Sequence, residues 1–92
     1  MKSNTLVKLK PEVVYSKIDN EVVLLTMDSG KYLNIDAIGS DIWEYIKEEK
    51  SIDEVVTYLL AHYEVSKEQC TNEVIDFLNT LNQDDLINIK NA

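Results

Sequence analysis

The chain has 92 residues, 45% of them hydrophobic and 28% charged, with two Gly and one Pro; this bounds it to one modest globular domain and excludes a disordered or fibrous polymer. Its net charge of −8 is unevenly held. Residues 1 to 17 carry four Lys against one Glu, whereas residues 18 to 92 carry five Lys against sixteen Asp and Glu, with no Arg anywhere. Such a body repels a phosphate backbone, which argues against nucleic acid as a partner. Its acidic surface reads either as plain solvation or as a groove that attracts a basic or neutral peptide. No apolar run approaches the roughly 20 residues needed to cross a bilayer, and Met1-Lys2-Ser3-Asn4-Thr5 leads into a charged stretch instead of a signal core. A single cysteine, Cys70, has no internal disulfide partner. The expectation is a cytoplasmic protein with no membrane contact.

Three short segments rich in β-branched and aromatic residues come first and predict strands over about 12–18, 21–27 and 31–35. Asp19-Asn20 tolerates positive φ in a two-residue hairpin turn, and Asp28-Ser29-Gly30 suits a three-residue loop, so the strands form an antiparallel meander. The middle strand is apolar on both faces over Val22 to Leu25, as a covered central strand would be. The third alternates Tyr32 and Asn34 against Leu33 and Ile35 and reads as an edge, blunted at its ends by Lys31 and Asp36. Tyr32, facing away from the core, is either solvated or part of a groove.

After Asp36 the spacing becomes helical. Ile38, Ile42, Trp43 and Ile46 predict a helix over about 37–49, with Asp36 or Ser40 as N-cap. Ser51-Ile52-Asp53-Glu54 is a capping box opening a helix to about residue 63, with Ile52, Val55, Val56, Leu59 and Leu60 on its apolar face. Ser66-Lys67-Glu68-Gln69 is a second box, with Val65 and Cys70 placed as a hydrophobic staple. It opens a helix over about 67–83 that presents Cys70, Val74, Phe77, Leu78 and Leu81 on one face. Leu86-Ile87 is expected to pack back onto the body.

Little here supports catalysis. His62 is the only histidine and Cys70 the only thiol, and the two lie on separate predicted helices. They read as a surface imidazole and a small core thiol. A zinc site would need carboxylates to complete it, and neither Gly30 nor Gly39 belongs to a phosphate-cradling loop. No cofactor or metal is expected. The architecture is α+β: a three-stranded antiparallel sheet followed by three helices, with an open edge strand beside an amphipathic last helix. Two function classes fit it. A winged-helix module reading nucleic acid wants Lys or Arg along its recognition helix, whereas the last helix has Lys67 beside Glu68, Glu73 and Asp76. A peptide binder using strand addition has no such requirement.

From Leu9 to Ile87 the order of short motifs resembles the PqqD-like family. The matching features are Tyr32-Leu33-Asn34, Gly39 with Ile42-Trp43-Glu44, Ser51-Ile52-Asp53-Glu54-Val55-Val56, Leu59-Leu60 with Tyr63-Glu64-Val65, and then Glu73-Val74, Phe77-Leu78, Leu81 and Leu86-Ile87. Asp85 departs from the pattern, standing where relatives commonly have Gly. The resemblance implies a winged-helix-like, non-enzymatic recognition element for ribosomally made precursor peptides. The leader would add as a strand along Lys31, Tyr32, Leu33, Asn34, Ile35 and Asp36, in a cleft whose helical wall draws on Glu73, Val74, Asp76, Phe77 and Leu78. Stand-alone members of this size serve lasso-peptide pathways among others, presenting the precursor to a separate leader peptidase or other modifying enzyme. A nucleic-acid-binding winged helix, or a general protein-interaction module, is the alternative.

Overall fold

The computed structural model describes residues 1–25 and 30–91. Thr26 and Met27, assigned above to the end of the second strand, and Asp28-Ser29 of the following loop lie outside the described residues. The element order is β1 (Leu6–Leu9), β2 (Tyr15–Ile18), β3 (Glu21–Leu25), β4 (Tyr32–Ile35), α1 (Ala37–Tyr45), β5 (Lys50–Ser51), α2 (Ile52–Leu60), α3 (Lys67–Gln83) and β6 (Ile87–Lys90). The α+β meander-then-helices plan is present. Its sheet has the order β2-β3-β4 and is antiparallel throughout, with Lys17 opposite Val22 and Val22 opposite Ile35. The β2–β3 turn places Asp19 at φ 51° and Asn20 at φ 67°, the paired positive angles of a twist-compatible two-residue hairpin.

A second antiparallel sheet, ordered β5-β1-β6, was not anticipated. Its strands are too short or too charged to stand out: β1 reads Leu-Val-Lys-Leu beside Lys10, and β5 has two residues. Pairing makes them strands, because Val7 lies opposite Ile89 and Leu9 opposite Ile87, and these side chains enter the core together. Backbone bonds from Leu9 N to Ile46 O (2.8 Å) and Ile52 N to Thr5 O (2.9 Å) tie this sheet to α1 and α2, and Lys10 N to Leu86 O (3.0 Å) extends the β1–β6 pairing. Leu86-Ile87 thus returns to the body as a paired strand. It also explains why α1 stops at Tyr45, before the expected residue 49, since the chain must leave the helix to reach β5. α2 ends at Leu60 and not near 63, and the next turn points Tyr63 towards α1, where its hydroxyl donates to Asp41.

All three helices carry side-chain caps. Asp36 Oδ1 accepts from Gly39 N (2.8 Å), and Ser51 and Glu54 form the reciprocal box at α2. At α3 Ser66 Oγ accepts from Gln69 N (3.1 Å), but Gln69 turns its side chain to Glu73 instead of closing the box. Trp43, Ile46, Ile52, Val55, Val74 and Leu78 fill the centre. Tyr15 meets Trp43 edge-on at 5.2 Å, bringing the β2-β3-β4 sheet onto α1.

The expectation that β3 is covered on both faces is corrected. Val22 and Leu24 are buried, whereas Leu25 is exposed. Among the described residues the helices pack on one side of the strand, and beside its other face Ile18 and Tyr32 are exposed.

Candidate functional site

The site begins where β4 becomes α1. Ser40, fully buried, accepts from Val22 N (2.8 Å) and donates to Ile35 O (3.0 Å), so one hydroxyl clasps β3 and the end of β4 to the helix. One residue earlier, Gly39 permits a close approach. A Cβ there would stand 2.6 Å from Ile35 Cγ2 and 3.0 Å from Phe77 Cε1, so only Gly lets β4, α1 and α3 converge.

Beyond this convergence lies a groove of about 520 Å³. Asp36, Ile38, Gly39 and Ile42 supply the α1 side, Leu59, Tyr63, Glu64 and Val65 the end of α2 and the following loop, and Gln69, Cys70, Glu73, Val74 and Phe77 the α3 side. Its floor is apolar and its ionisable groups are acidic. The Tyr63 hydroxyl, bonded to Asp41, is pushed above its ordinary pKa chiefly by that bond and then by burial and nearby negative charge. The Cys70 thiol is pushed up by burial first and by Glu73 second, so it stays protonated at neutral pH. That is the opposite of an activated nucleophile. His62 is exposed, its ring edge-on to Tyr58 at 4.7 Å. Among the described residues no group of three His, Cys, Asp or Glu could hold a metal ion.

Of the residues singled out from the sequence, Asp36, Glu73, Val74 and Phe77 meet at this groove. Lys31, Tyr32, Leu33 and Asn34 lie along the strand leading to it, with Tyr32 and Asn34 exposed and Leu33 half-buried. Ile35 and Leu78 are core residues, and Asp76 is exposed outside the groove lining. Leu78 belongs one step around α3 from Phe77, which turns it inward. The contributions of α1 and the α2–α3 connection were missed as site residues. Their signal was present in Gly39 and in Tyr63-Glu64-Val65, which the sequence motifs contained without assigning them a wall.

The family model for Coenzyme PQQ synthesis protein D (PqqD) matches residues 21–87, from the start of β3 into β6. The chain belongs to the PqqD family. Two solved structures are similar to it. TbiB1 in complex with the TbiA(beta) leader peptide is 38% identical, with a TM-score of 0.77 over 87% of this chain and 93% of that one. A lasso peptide synthetase B1 complexed with the leader peptide is 22% identical, with a TM-score of 0.76 over 89% of this chain and 96% of that one, a likeness of fold. No curated protein matches the chain. This PqqD-family fold contains no helix, among the described residues, long and apolar enough to cross a membrane.

Proposed function

We propose that this protein is a non-catalytic recognition element that binds the leader segment of a ribosomally synthesised precursor peptide. The leader adds as a strand along β4, from Lys31 to Asp36, and its apolar side chains enter the groove bounded by Glu73, Val74 and Phe77. The observation that carries the reading is the conjunction of an edge strand with a cavity that opens where that strand ends, in a member of the PqqD family. Backbone pairing supplies affinity that is indifferent to sequence, and the cavity supplies selectivity. The 38% identity to a chain solved with a leader peptide supports the same use. With its one thiol, Cys70, buried and raised in pKa instead of activated, the protein would hand the bound precursor to a separate leader peptidase or other modifying enzyme of a lasso-peptide pathway.

Calorimetric titration against the leader peptides encoded beside its gene, with the TbiA(beta) leader as a reference ligand, tests the reading. Saturable one-to-one binding is expected, weakened at least tenfold when the peptide backbone is N-methylated on the side facing β4, because each methyl removes a ladder donor. Methylation without effect at every position would exclude strand addition. The nucleic-acid reading is disfavoured by the acidic α3, and duplex DNA is expected not to bind at physiological salt.

A further inference from the structure

The groove separates its chemistry. Ile42, Leu59, Val65, Val74 and Phe77 make an apolar lining, while the charged residues around them are all carboxylates: Asp36 from the β4–α1 junction, Glu64 from the α2–α3 connection and Glu73 from α3. All three are exposed. Among the described residues no lysine lines the groove, and the chain has no arginine. The ion pairs found among the described residues join Lys10, Lys47, Lys50 and Lys90 to other carboxylates. Two of the rim groups have neutral donors: Gly39 N for Asp36 (2.8 Å) and Gln69 Nε2 for Glu73 (3.4 Å). Such donors orient a carboxylate without cancelling its charge. The Tyr63 hydroxyl is raised chiefly by its bond to Asp41, with Asp36 contributing least, and the Cys70 thiol chiefly by burial, with Glu73 second. Like charges converging on an apolar cavity favour a cationic occupant and repel an anionic one.

We propose, resting on the leader-binding reading above, that this groove selects a peptide segment in which a large apolar side chain is flanked by Lys or Arg. The apolar group lies against Ile42, Val74 and Phe77, and the cation meets Glu64 and Glu73, with Asp36 closing the third side. The selectivity is then a property of the rim, separable from the strand pairing that holds the peptide backbone.

A random dodecapeptide library displayed on phage provides the probe, selected in parallel on the wild-type protein and on the Glu64→Gln, Glu73→Gln double variant, whose two changes are isosteric and exposed. Wild type should enrich Lys or Arg beside a large apolar residue, and the double variant should keep the apolar preference while losing the basic one. The best wild-type peptide, fluorescein-labelled, should bind about threefold more weakly for each basic residue changed to Gln, the size of a partly exposed ion pair. That difference should vanish in the double variant and shrink at high salt. Enrichment of apolar residues with Lys and Arg at library frequency overturns the proposal and leaves leader binding standing. Basic enrichment undiminished in the double variant also overturns it, because the cation then sits elsewhere. Selected peptides with neither feature would sink both the rim selectivity and the groove as the peptide site.

Discussion

β4 and β6 are both four-residue edge strands, each paired antiparallel to one neighbour and each turning two apolar side chains inward. What lies beyond the strand differs. β4 runs into α1 at the mouth of a groove, with Asp36 as both the N-cap of α1 and a groove wall. None of the residues of β6 lines that groove, and its exposed positions are Asn88 and Lys90, the latter 3.9 Å from Glu49. A free edge is therefore not always accompanied by a cavity. The backbone groups of any edge can accept a strand, but only an adjoining cavity can favour one peptide over another. The two strands are also fastened differently, β4 by a buried hydroxyl and β6 by the Lys10–Asp85 ion pair just before it, and this difference can be tested directly.

The largest expected effect falls on neither edge. Leu78, fully buried on α3, was grouped from sequence with the leader-binding wall, and its place in the core reassigns it to stability. Leu78→Ala should cost about 2–5 kcal/mol in urea unfolding, the usual range for a buried leucine. A variant as stable as wild type would return Leu78 to the groove. Ser40→Ala comes next, removing one acceptor and one donor at once and leaving Val22 N and Ile35 O buried without partners. A loss of about 2–4 kcal/mol is expected, measured the same way, together with faster hydrogen exchange in β3 and β4 but not in β6. Equal loss of protection in β6 would mean that the two edges are not independently fastened.

Gly39→Ala sharpens the comparison at the groove. The added methyl overpacks against Ile35 and Phe77 at a cost of about 1–3 kcal/mol, partly offset by about 1 kcal/mol of helix propensity. Because Phe77 is a groove wall, leader affinity should fall about tenfold, or about 1.4 kcal/mol, in a variant that still folds. Unchanged affinity in a titration would show that Phe77 does not shape the bound peptide's pocket.

How much of this was legible depended on the range of the signal. The Asp19-Asn20 turn, the Ser51 box and the α3 face from Cys70 to Leu81 are written in neighbouring residues, and they are found where that chemistry put them. The β5-β1-β6 sheet was illegible because it joins residues from both ends of the chain, and a strand of two or four residues has too little period to announce itself. β3 misled for a related reason. An apolar run fits a strand covered on both faces, yet Leu25 remains open, and the run alone cannot separate burial from a sticky exposed face. The groove was half legible: α3 periodicity pointed to Val74 and Phe77, but Ile38, Ile42, Tyr63 and Glu64 join them only through the packing that Gly39 permits.

The smallest expected effect tests the fastening of β6. Asp85 precedes that strand at φ 59°, a left-handed conformation that Asp tolerates better than most residues but Gly adopts freely. Asp85→Gly relieves that local cost, on the order of 1 kcal/mol, and adds back a similar amount through the greater freedom of the unfolded chain. It also removes the 2.5 Å contact with Lys10, whose side chain is 18% exposed while that of Asp85 is 76% exposed, so the pair contributes about 0.2–1 kcal/mol at low salt. The two backbone terms nearly cancel, and the variant should lie about 0.2–1 kcal/mol below wild type in dilute buffer. Salt separates them. Screening weakens the Lys10–Asp85 pair without touching backbone conformation, so raising NaCl should lower wild-type stability relative to the variant, the gap moving by a few tenths of a kcal/mol in favour of Gly. Leader affinity should stay unchanged throughout, because β6 lies away from the groove. A salt-independent gap would mean that the ion pair contributes nothing, leaving backbone conformation alone to decide between Asp and Gly. A loss of leader binding would mean that the β6 edge, and not β4 alone, takes part in recognition.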